Sequence, residues 1–104
     1  MPYIKQEQRI TLDKHIERLA EEIKKLSAGD DKTAFAGLLN YFCTKLALAL
    51  IPKRGYAFIA LITGVFKNIA DEFYRRYAAP YEDEKIKENG DVYPVYPIEP
   101  PDML

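Results

Sequence analysis

Tyr74, Arg75, Arg76 and Tyr81 are the residues of this chain best suited to hold a ligand. Two guanidinium forks match phosphate or carboxylate through paired hydrogen bonds, and tyrosine rings offer a stacking face and a hydroxyl. A second polar group, Asn40, Tyr41, Thr44 and Lys45, sits on consecutive turns of the apolar stretch "LLNYFCTKLALAL". Burying such groups costs free energy unless each finds a partner. They therefore read either as a satisfied helix–helix network or as the lining of a polar pocket between subunits. The candidate ligand-binding set is Asn40, Tyr41, Lys45, Tyr74, Arg75, Arg76 and Tyr81, with Lys53 and Arg54 expected to contribute from the hairpin between the two apolar helices. A nucleotide or a phosphorylated small molecule is the ligand class these side chains suit. The competing structural reading pairs Arg75 and Arg76 with Glu82, Asp83 or Glu84 across Pro80, locking a corner of the fold.

Catalytic chemistry has less to work with, and no catalytic residue is assigned. The spacings of a phosphate-binding glycine loop, a dinucleotide fingerprint, a paired-cysteine zinc site and an HExxH helix are absent from the sequence. The single histidine, His15, borders an apolar helix face with Arg18 and Leu19 one turn on, so it has no local metal partner. Cys43 lies in "NYFCTKL" without an adjacent base and reads as a small hydrophobe. Glu72 and Glu82 stand near arginines, which lower a carboxyl pKa and make a poor acid near neutrality. Neither a cofactor nor a metal is expected.

Those side chains must be carried by a small fold. The chain has 104 residues, 48% of them hydrophobic and 30% charged, which suits one globular domain with little surplus core. Its formal charge of -1 supplies no global field for gathering nucleic acid or anionic lipid. One cysteine makes no internal disulfide, and "MPYIKQEQRI" lacks the pattern of a secretory signal, so a cytoplasmic location is the expectation.

Periodicity points to an all-α fold. Residues up to Ile10 read as an extended arm docked through Tyr3, Ile4 and Ile10. Leu12, Ile16, Leu19, Ile23 and Leu26 then recur at helical spacing behind a Thr11 cap, and Gly29 ends the helix. A second helix restarts with Asp30 or Asp31 as cap and stops before Pro52. A third runs from about Tyr56 to Ala79. Both are apolar on nearly every side, although Lys45 argues against a membrane span. Gly37 and Gly64 inside them suggest close backbone approach between helices. Pro80 should kink or break the third helix, giving a short fourth one that ends at "ENG", with Asn89 or Gly90 left-handed. The expected architecture is a three-helix bundle with a short fourth helix after a proline kink. It comprises a helical domain over residues 1–93 and an extended proline-rich tail over residues 94–104, lying along a groove.

The blocks "MPYIKQEQR", "LNYFCTKL" and "EFYRRYAAPYEDEKIKENGDVY" resemble the shared pattern of a family of small uncharacterised prokaryotic and phage-associated proteins. The matched positions include Asn40, Tyr41, Thr44, Glu72 to Arg76, Pro80 to Asp83, Lys85, Glu88 to Asp91 and Tyr93. The resemblance implies no activity, and the tail from Pro94 onward lies outside it.

Two apolar helices cannot both be hidden by one copy of so short a chain, so a homo-oligomer, most simply a dimer, is expected. The function that follows is non-enzymatic protein–protein interaction or scaffolding. The alternative is a small-ligand or nucleotide-binding protein using the arginine–tyrosine group.

Overall fold

The computed structural model describes residues 2–94; the expected tail beyond Pro94 lies outside the described residues. The described chain is all-helical, with no strand among these residues. By its internal contacts the chain divides into two units, Met1–Ile69 and Ala70–Leu104, with the boundary inside the third helix.

In the first unit, α1 spans Gln6–Leu26 and so begins five residues before the expected Thr11 cap. The reason is a cap that the apolar pattern does not reveal. The Lys5 backbone N–H donates to Gln8 Oε1 at 3.2 Å, while the Gln8 and Arg9 amides donate to the Lys5 carbonyl. Arg9 Nε also donates to the Ile4 carbonyl at 2.8 Å. Thr11 lies inside the helix, with its hydroxyl donating to the Glu7 carbonyl. The extended arm is accordingly short. The helix ends as the sequence suggests: the Ser27 amide and hydroxyl both donate to the Ile23 carbonyl, and Gly29 takes a φ of 148°, a region costly for residues with a Cβ.

Neither expected cap, Asp30 nor Asp31, holds the next helix directly, because its N-cap is Ala34 without a side-chain cap bond; Asp31 instead closes the turn that precedes it. Its Oδ1 accepts from the Thr33 amide at 2.9 Å and the Thr33 hydroxyl at 2.7 Å, and a turn leads into α2, Phe35–Leu50. Ile51 is extended, as the residue before a proline should be. α3 then opens at Tyr56.

The helical run does not break at Pro80. α3 is α-helical over Tyr56–Phe73, π-helical over Tyr74–Ala78, and α-helical again over Ala79–Asn89. The Ala79 amide donates to the Tyr74 carbonyl, five residues back. A proline inside a helix has no N–H and crowds the carbonyl four residues earlier, here Arg76. Widening the preceding turn relieves that crowding and keeps the backbone helical, so the irregularity precedes the proline. Gly90 ends the run with a φ of 89°.

No described residue of this single copy is buried. Among the described residues no helix is long and apolar enough to cross a membrane. The apolar faces of α2 and α3 stay open in this single copy. Leu39, Leu46, Ile59 and Leu61 remain between 46% and 60% exposed. A Cβ built on Gly37 or Gly64 would meet nothing within 4 Å, so close helix approach within the chain does not explain either glycine.

Candidate functional site

The seven candidate residues divide between the two units. On α2, Asn40, Tyr41 and Lys45 are all exposed, and Tyr41 is 66% so. The Thr44 hydroxyl donates to the Asn40 carbonyl at 2.8 Å, with the Asn40 side-chain oxygen at 3.4 Å. Thr44 is thus satisfied within its own helix, the back-bonding common for threonine in helices. Asn40 and Thr44 also border an apolar groove of about 460 Å³ with Phe35, Leu39, Cys43 and Phe66. A larger groove of about 660 Å³ lies where α1 meets α2, floored by Ala20, Ile23, Phe35 and Leu39 and edged by Lys24 and Lys32. The sequence left Asn40 and Thr44 as either a satisfied network or the lining of a polar pocket; the structure sets them at the rim of an open, largely apolar groove.

In the second unit the π-helical turn determines which side chains meet. On an uninterrupted α-helix, seven residues make nearly two turns, which would bring Tyr81 beneath Tyr74. The wide turn absorbs one more residue, so Tyr74 faces Glu82 instead. Its hydroxyl titrates above the ordinary 10.0, chiefly because it hydrogen-bonds the Glu82 carboxylate, then through the Glu82 charge, desolvation and the nearby Tyr93 and Asp83. Tyr81 takes a different partner, with Lys85 Nζ 5.4 Å from its ring centroid.

The arginine pair is also divided. Arg75 grips Glu72 with Nε at 2.9 Å and Nη2 at 2.7 Å from the same oxygen, along one helix face. The expected bridge from Arg75 to the acidic run after Pro80 is replaced by this backward pair, because three residues separate the two on the preceding turn. Glu72 is the more sheltered member, its side chain 18% exposed against 64% for Arg75. Arg76 forms no ion pair among the described residues. Phe73 and Tyr77 stack with centroids 5.0 Å apart and planes 18° apart. Lys85 pairs with Glu88 at 3.1 Å, one turn along.

Chemically, this unit offers one arginine held by a carboxylate, one tyrosine directed at a carboxylate, and Arg76 exposed beside them. Among the described residues no group of three or more His, Cys, Asp and Glu side chains could hold a metal ion. The signal that sequence reading missed is the π-helical turn, which no local propensity announces and which changes the partner of Tyr74.

A family profile described as "Domain of unknown function (DUF6899)" matches residues 1–92. The chain belongs to that family. No curated protein and no solved structure matches it.

Proposed function

We propose that this member of the family is a non-enzymatic helical protein that works as an oligomer, most simply a two-fold dimer, and acts through protein–protein contact. The open apolar faces of the first unit are the observation that carries this reading. Phe35, Leu39, Leu46, Leu48, Ile59 and Leu61 are between 46% and 62% exposed. Such side chains lower the free energy when they leave water.

Light scattering of the full chain tests the reading. A folded species of at least twice 12.0 kDa is expected. A folded species of 12.0 kDa at micromolar concentration would remove the proposal.

The alternative, a phosphorylated small molecule or nucleotide at the arginine–tyrosine group, has to rely on Arg76, because Arg75 is engaged by Glu72 and Tyr74 by Glu82. A thermal-shift screen with nucleotides addresses it. A ligand at a hundred times its dissociation constant adds about 2.7 kcal/mol, and flat melting curves would eliminate the site.

A further inference from the structure

We infer that a second copy of this chain docks antiparallel along α2, with the two Cys43 side chains next to each other beside the two-fold axis. The inference rests on the assembly reading above and names the surface that carries it.

Phe35, Leu39, Phe42, Cys43, Leu46 and Leu50 lie within about 100° of arc on α2, a continuous apolar stripe. Phe35, Leu39, Leu46 and Leu50 are exposed; Phe42 and Cys43 are half-buried. The stripe fits itself when reversed. Centred between Phe42 and Cys43, an antiparallel copy sets Phe35 level with Leu50 and Leu39 level with Leu46, and brings Phe42 on one edge of the stripe and Cys43 on the other each beside its own copy. Isologous contacts require this self-complementarity, whereas a surface built for an unrelated partner does not.

Charge agrees with the pairing. α2 contains no acidic residue, and its one cation, Lys45, falls on the outer edge of the stripe, displaced from its copy by five residues along the axis. Reversal also sets the positive end of each helix dipole beside the negative end of the other. The groove edged by Phe66 and the groove floored by Ala20 and Ile23 flank the stripe and extend the contact beyond the helix itself.

Helices packed 8–10 Å apart in this register bring the two Cys43 Cα atoms to about 6 Å, offset by about 1.5 Å along the axis. The natural cysteine is therefore a built-in probe. The test treats the unmodified full chain with a short bis-maleimide, each thiol adding across one maleimide double bond, and reads mass under denaturing conditions. A linked dimer that disappears in Cys43→Ser supports the inference. If the reagent does not reach Cys43, Asn40→Cys in the Cys43→Ser background, on the same edge of the stripe, carries the test with a longer linker. A dimer by light scattering whose thiols are all modified yet unlinked overturns this interface and leaves the assembly standing. A 12.0 kDa species by light scattering overturns both.

Discussion

The two units obtain their order from different sources. From Ala70 onward, the side chains that meet are near in sequence: Glu72 with Arg75, Phe73 with Tyr77, Tyr81 and Glu88 with Lys85. Contacts of this range form within one copy and survive alone, each contributing a fraction of a kcal/mol. Up to Ile69 the side-chain hydrogen bonds are also local, but the apolar faces of α2 and α3 find too little cover. Local pairing fixes helices, whereas hiding apolar faces needs a second surface. The contrast teaches that a helix can be well specified by its own sequence while its apolar face still lacks cover within one copy.

The largest expected effect strikes the first unit. Leu46→Asp sets a charge in the middle of the proposed stripe, and its assembly should weaken at least 30-fold, about 2 kcal/mol. Leu12→Asp on α1 is the matched control, since Leu12 is 49% exposed and Leu46 46%. Sedimentation velocity across a concentration series compares them. Equal behaviour of the two variants would erase the distinction between the faces.

Next comes the turn that organises the second unit. Pro80→Ala restores the missing amide and removes the crowding at Arg76, so an uninterrupted α-helix becomes accessible and Tyr81 moves beneath Tyr74. Tyr74 then loses Glu82, and its phenol should titrate closer to 10.0 than in the parent. Ultraviolet difference titration reads the change; an unaltered Tyr74 titration would mean that the proline does not set the register.

Gly90→Ala forces a side chain into a φ of 89° and should cost about 1 kcal/mol, fraying the end of the helix without changing assembly. Circular dichroism and mass measured together separate these effects.

The smallest effect is electrostatic. The hydrogen bonds from the Thr33 hydroxyl and amide hold the Asp31 carboxyl below its ordinary 3.8. A carboxyl depressed in the folded state adds stability above its unfolded pKa, and that contribution fades as pH falls through the folded value. A small loss of thermal stability below about pH 4 is expected, and Asp31→Ala should remove that component of the acid sensitivity.

Much of the fold was legible because it is locally encoded. The stops at Gly29, Ile51 and Gly90 follow from glycine and proline chemistry, but the cap of α2 falls on Ala34, three residues past Asp31, whose carboxylate closes the turn before the helix. The start of α1 was not, because Gln8 caps Lys5 with an amide that carries no apolar signal. The π-helical turn was not either, since it answers a steric conflict between Pro80 and a carbonyl one turn earlier. At the candidate site, the apolar character of α2 was evident from composition, and so was the oddity of Asn40 and Thr44. Thr44 turned back on its own helix, a choice that depends on rotamer rather than on residue type. The arginine pair was visible as a pair, but its division between a held Arg75 and an exposed Arg76 depends on where each points along the helix.

The central claim is that folding of this chain is inseparable from association, and thermal unfolding as a function of protein concentration tests it most directly. An obligate oligomer melts at a higher temperature as chain concentration rises, and a midpoint climbing steadily over a thousandfold range is the predicted result. A sharp, cooperative transition with a concentration-independent midpoint, from a species of 12.0 kDa, would contradict it.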